Sequence, residues 1–363
     1  MKKCKFSIIS TLIIILIITI IKIINSKDLN IDLHNIITKD SKYLVIHSNL
    51  LEKNGGFLLI NNEGNIIFDK KVNLQDILYS DSSDNYFVFS GSRRNNNILI
   101  DKNKNIKTFS FLNESKYNGV TTVKMYKDRI LGIMNGNLLE NTYKSLLVLQ
   151  DKDENVLIKE EIDIWASDII IQNDIAYIFG FNRRAEENNS YSKIIMYDLV
   201  TNKIIKEVED LTYNQYLNPI IVGNEIFCIA RKSRDENNYL VKINLNTLNL
   251  ISKHYLSDNI DKIWNIEDKI YAIKENKFVK LNKNLEIEEE YYKLKDVSEY
   301  SSSYVLNNCI YLYIRNYDEN SNIYLGDFIK FNINTNEIEI TKFNKDKNKI
   351  MENIVFIPID YFK

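Results

Sequence analysis

From residue 42 to the C-terminus the chain alternates short apolar runs with polar turns, and no stretch sustains a helical period. The repeating unit is clearest at residues 171–180, Ile-Gln-Asn-Asp-Ile-Ala-Tyr-Ile-Phe-Gly, where Asn173-Asp174 joins two apolar runs. A two-residue polar link between β-prone runs predicts a tight hairpin. Relatives recur at 125–133 around Lys127-Asp128, 222–229 around Asn224-Glu225, 266–273 around Glu267-Asp268 and 306–313 around Asn307-Asn308.

The second arms of these hairpins begin at Tyr43, Tyr86, Ile130, Ile175, Ile226, Ile270 and Ile310, spaced by 40 to 51 residues. That is the period of a four-stranded propeller blade, repeated seven times. A second hairpin follows each arm, in most cases as an apolar strand, then Asp or Asn, then a polar turn such as Val200-Thr201-Asn202-Lys203 or Ile333-Asn334-Thr335-Asn336. Residues 352–360 carry one further strand, while the first unit lacks the strand that precedes its equivalents. The expectation is an all-β, seven-bladed β-propeller of four-stranded antiparallel blades over residues 42–363. Pairing of the C-terminal strand with the first blade would close it and protect the free edges.

On these strand-turn-strand units the chain resembles seven-bladed propellers of the quinoprotein-like and surface-layer-like (YVTN-like) kind, whose blades carry an Asp-x-x-Thr-type turn. The resemblance implies a fold and brings no catalytic residues. The chain has only two tryptophans, Trp165 and Trp264, against the tryptophan-docking blades of pyrroloquinoline-quinone enzymes. It also lacks the Gly-His and Trp-Asp pairs of WD40 repeats, the in-register double glycines of kelch repeats and the Asp-box of sialidases.

Residues 6–24 are almost wholly aliphatic, with Lys2, Lys3 and Lys5 before them and Lys22 near the far end. Each Ile, Leu or Phe favours insertion by about 0.3–0.6 kcal/mol, so the run outweighs one terminal lysine. Residues 1–24 are therefore expected to form a signal anchor, a single transmembrane helix with its N-terminus in the cytoplasm, and to send the rest across the membrane. The competing reading is a cleaved leader followed by secretion, but Ile24-Asn25-Ser26 puts a bulky residue where a cleavage site wants a small one. Residues 25–41 read as a polar tether.

Charge narrows the partners. Lys and Arg number 47 against 49 Asp and Glu, and four of the lysines lie in the N-terminal segment, leaving 43 against 49 for the remainder. A mildly acidic body argues against nucleic-acid binding. Cys228 and Cys309 sit in apolar strand patterns of non-neighbouring units and read as buried thiols, whereas Cys4 precedes the aliphatic run. His34, His47 and His254 lack metal-ligand spacing. The acidic tracts at 81–85, 151–155, 235–238 and 318–322 lack a calcium-loop register and read as solvated turns. No metal, cofactor or catalytic constellation is expected.

One chemical feature stands out. Arg93, Arg94, Arg183, Arg184, Arg231, Arg234 and Arg315 are all expected just after the second strand of a unit, leaving only Arg129 elsewhere. Loops after second strands share a face with the connections between blades, so these guanidinium groups form a candidate site for a carboxylate, phosphate or acidic sugar. Nearby acids, Glu186, Glu187, Asp235, Glu236, Asp318 and Glu319, offer local ion pairing as the alternative. The expected function is a membrane-tethered, extracytoplasmic module that binds an anionic ligand or an envelope protein. A propeller-type lyase or hydrolase acting on an acidic substrate, and an accessory subunit of an envelope complex, are the competing readings.

Overall fold

The apolar runs become strands, and in the computed structural model these strands form seven four-stranded antiparallel sheets. The structure describes residues 29, 31–93, 95–111, 117, 119–139, 142–183, 190–210, 213, 215–231, 238–255, 260–294, 299–318, 323–343 and 351–363. In the first sheet the inner place is taken by the last strand of the chain, Asn353–Pro358, followed outward by Ser41–Ser48, Gly56–Asn61 and Ile66–Lys71. Tyr43 stands opposite Pro358, and Ser48 opposite Asn353. The inner strands of the other six sheets are Ile77–Ser82, Thr122–Tyr126, Trp165–Gln172, Gln215–Val222, Ile260–Ile266 and Glu299–Leu306. Each inner strand packs on the next, and Asn353–Pro358 touches both Ile77–Ser82 and Glu299–Leu306. The architecture is a seven-bladed β-propeller.

Burial follows position within a blade. Second strands such as Glu225–Arg231 are buried on both faces, because a neighbouring sheet covers each side, and so read as continuous apolar runs. Outer strands are edges: Leu250–Tyr255 is exposed along its whole length, and Ile287–Lys293 carries Glu288, Glu289 and Glu290, charges that discourage edge-to-edge pairing. Among the described residues, six hydrophobic clusters fill gaps between sheets. Leu131, Ile133 and Leu147 of the third sheet meet Ile169, Ile178 and Ile195 of the fourth, and the fourth meets the fifth through Phe179, Tyr213 and Cys228. Each blade thus completes its neighbour's core. Cys228 and Cys309 are free and buried, as expected.

Two kinds of turn set the blade period, and both lie on one face. The link from inner to second strand is a tight hairpin with positive φ at Asn173 and Asp174, Glu267 and Asp268, and Asn307 and Asn308. The link from third to outer strand begins in every blade with an Asp or Asn whose side chain accepts a backbone N–H of the turn: Asn61, Asp101, Asp151, Asp198, Asn244, Asn282 and Asn332. These are Asx turns, which hold the chain without strand pairing. Each also places one residue at positive φ, namely Gly64, Lys104, Glu154, Asn202, Leu248, Leu285 and Asn336.

The spacer before the first strand carries an apolar attachment. Ile31 and Leu33 are buried in the cluster that joins the seventh, first and second sheets, with Leu29, Ile36 and Ile37 packed against it. Leu33–Ile36 is a single helical turn, capped by Asp32, which accepts the His34 amide at 3.0 Å. Among the described residues no helix is long and apolar enough to cross a membrane. The expected anchor, residues 1–24, lies outside the described residues.

Candidate functional site in the axial channel

Five inner strands slip register against their second strands at a matching height. The shifts fall between Ile77 and Tyr79, Ala166 and Asp168, Leu217 and Ile220, Ile260 and Lys262, and Tyr300 and Ser303. A bulge inserts a residue on one strand and re-aims the side chains beside it. Here Asp168, Asn218, Lys262 and Ser302 lie at or within the shift on successive blades. Asp168 is felt by Tyr79, Lys124 and Lys262, on three other sheets, which only a position near the axis allows.

The polar groups are linked from blade to blade. Lys124 Nζ donates to Asp81 Oδ1 at 3.3 Å, and the Met125 amide donates to Asp81 Oδ2 at 2.7 Å. Asp168 Oδ1 accepts the amide of Ile169 at 2.8 Å. Lys262 Nζ donates to Asn218 Oδ1 at 3.4 Å, while Asn218 Nδ2 donates to the Asp261 carbonyl at 3.3 Å. Trp264 Nε1 donates to Ser303 Oγ at 3.4 Å. The first blade contributes the apolar run Ile354 to Ile357 instead, so polar groups occupy an arc of the channel and not its full circle.

Lys124 and Asp81 stand on the inner strands of consecutive blades, yet their side chains keep 28% and 23% of their surface open to solvent. Burial raises the Asp168 carboxyl above its ordinary value, against the opposing pull of Lys124 and Lys262. Burial also lowers the Lys262 ammonium, with Lys124 adding repulsion and Asp168 and Asp261 opposing it. Lys124 goes the other way, raised chiefly by Asp81. Two lysines in one channel differ because one has a carboxylate in direct contact and the other a neutral amide.

Of the sequence-expected arginines, the described ones, Arg93, Arg183, Arg231 and Arg315, lie toward the face opposite the hairpin turns. Arg93 follows the strand Tyr86–Gly91, is exposed, and brings Nε to 3.9 Å from Asp76 Oδ2. Asp76 is buried at φ +56° and also accepts from Ser92 Oγ and, at 3.0 Å, from Asn353 Nδ2. Arg231 ends the strand Glu225–Arg231, is half-buried, and opposes the rise that burial imposes on the Asp261 carboxyl. Arg315 is half-buried within Cys309–Asp318, opposite Glu299 in the ladder. Arg183 ends Ile175–Arg183, opposite Ser190. Arg94, Arg184 and Arg234 lie outside the described residues. Arg93 and Arg231 thus each stand by a carboxylate near the start of an inner strand.

The axial groups escaped the sequence reading. Asp81, assigned to a solvated turn, belongs to the strand Ile77–Ser82 and holds Lys124. A signal existed: Asp168, Asn218 and Lys262 recur at one repeat position, four residues before the end of the inner strand. Among the described residues no group of three or more His, Cys, Asp or Glu side chains is arranged to hold a metal ion.

No family model matches the chain, and no curated protein sequence matches it. Among solved structures it is similar to the periplasmic gluconolactonase of Pseudomonas aeruginosa, at 8% identity and a TM-score of 0.57, covering 88% of this chain and all of that one. It is also similar to the hydrazine synthase of Kuenenia stuttgartiensis, at 9% identity and a TM-score of 0.53, covering 86% and 98%. At such identities the likeness is one of fold alone: this chain is a seven-bladed β-propeller.

Proposed function

We propose that the protein is a membrane-tethered propeller held outside the cytoplasm, with residues 1–24 as anchor, 25–41 as tether and 42–363 as ring, and that it binds an anionic ligand at the axial channel. The observation that carries this reading is the unused donor capacity of two lysines. An ammonium offers three N–H donors. Among the described residues Lys124 spends one on Asp81 and Lys262 one on Asn218, and the Lys124 side chain keeps 28% of its surface open to solvent. The recurrent Asx turns support placing it with the quinoprotein-like and surface-layer-like propellers.

The test is calorimetric titration of the protein with acidic sugars, dicarboxylates and inorganic phosphate. Binding of at least one, weakened tenfold or more by Lys262→Met with little loss of Tm, is the expected result. No binding across the panel overturns the reading. A lyase or hydrolase is the second reading, favoured by the opposed proton affinities of Asp168 and Lys262, since acid and base roles need such divergence. Turnover of a panel member, abolished by Asp168→Asn, would establish it.

A further inference from the structure

We infer that the face of the ring bearing the hairpin turns is held toward the membrane, so that the opposite face, with Arg93, Arg231 and the bulged end of the axial channel, is presented outward to ligand or partner. The inference rests on the tethering proposed above and adds its geometry.

Chain direction settles which face the tether leaves. Ser41, the first residue of its strand, pairs with Asn61, which opens the turn between third and outer strands, and Pro358 lies opposite Tyr43. Both ends of the propeller therefore emerge among the turns. The connections between sheets, such as residues 72–76, and the Arg93 loop lie at the far ends of the strands.

The tether cannot wander from that face, because its last part is fastened there. Ile31 and Leu33 are buried, and Thr38 and Ser41 are cross-bonded, the Thr38 amide donating to Ser41 Oγ at 3.0 Å and the Ser41 amide to the Thr38 carbonyl at 3.2 Å. Ile36, Thr38 and Asp40 line a shallow cleft with Asn61, Asn62, Glu63 and Ile67, the turn and outer strand of the first blade. Leu29 packs on the same cluster, so only residues 25–28 remain between the aliphatic run and this fastening, about 14 Å at full extension. A strand of six residues spans about 20 Å, so a leash this short does not carry the far face round to the lipid. The inner-to-second turns hold Asp84, Asp128, Asp174, Glu267 and Asp268 against Lys127, and in the third-to-outer turns acids and lysines balance, so this face is tethered near anionic headgroups without being adsorbed to them.

The test uses the full chain with Cys4→Ser, reconstituted into phosphatidylcholine–phosphatidylglycerol vesicles with an energy-transfer acceptor on the headgroups. A donor dye is attached at Asn103→Cys, in a turn, or at Asn73→Cys, in a connection on the far face; both positions are exposed. Transfer at least twofold higher from position 103 is the expected result. Equal transfer, or higher transfer from 73, overturns the orientation alone. Protein that fails to sediment with the vesicles overturns the tethering and this inference with it.

Discussion

Lys124 and Asp81 join the inner strands of two consecutive blades, Nζ to Oδ1 at 3.3 Å, and the second carboxylate oxygen is held by the Met125 amide at 2.7 Å. One carboxylate thus ties both the side chain and the backbone of the next blade. Asp81→Ala strands an ammonium and an amide between blades, and should cost about 1–3 kcal/mol in urea unfolding. Adding Lys124→Met should recover part of that loss. A double variant less stable than Asp81→Ala would show that the pair is not the source.

Asp168 gives stability a pH slope. Its carboxyl is raised in the folded state, chiefly by burial, so between the unfolded value near 4 and the folded value the unfolded chain releases a proton that the native state retains. Stability therefore falls as pH rises through that window and is constant beyond it. Asp168→Asn removes the slope. The Tm of the variant minus that of the parent should climb from about pH 4 and then level off, as read by calorimetry; a difference that falls with pH contradicts the assignment.

Equivalent turn positions should respond to substitution with opposite signs. Lys104 sits at φ +66°, where a side chain costs roughly 1 kcal/mol, so Lys104→Gly should raise stability by up to that amount. Gly64 occupies the same place in the first blade at φ +81°, and a Cβ there would lie 1.6 Å from the Lys342 carbonyl oxygen. Gly64→Ala should lower Tm by several degrees, for about 2 kcal/mol or more lost to strain and displaced backbone.

Phe356, in the last strand of the chain, is fully buried among Tyr43, Tyr304 and Phe328, with ring centroids at 5.5, 4.8 and 4.9 Å. Its amide donates to Tyr304 Oη at 3.1 Å. Phe356→Ala should cost about 3–5 kcal/mol. Removal of residues 353–363 should leave Ser41–Ser48 as a bare edge and give oligomers on size exclusion. A monomeric, equally stable truncation would contradict the role of this strand.

Much of the fold was legible because its determinants are local. Asn173-Asp174 and Glu267-Asp268 adopt the positive φ values that a tight hairpin demands, and Asp198 and Asn332 cap their turns through bonds spanning only two or three residues. The candidate site was not legible in the same way. Asp81 looked like part of a polar turn, because the strand boundary that captures it depends on pairing with Phe87 and Val88. Ile31 and Leu33 looked incidental in a polar spacer, because their burial comes from a surface assembled by the first, second and seventh blades.

By itself the sequence determined the blade: its period, strand count and turns follow from side-chain alternation and from residues that tolerate or demand a left-handed backbone, all settled within a few neighbours. Only the tertiary structure decided which polar groups meet. Asp168 and Lys262 come within electrostatic reach because a ring brings its inner strands around one axis and bulges re-aim their side chains there, and neither the axis nor a bulge exists until distant strands have paired.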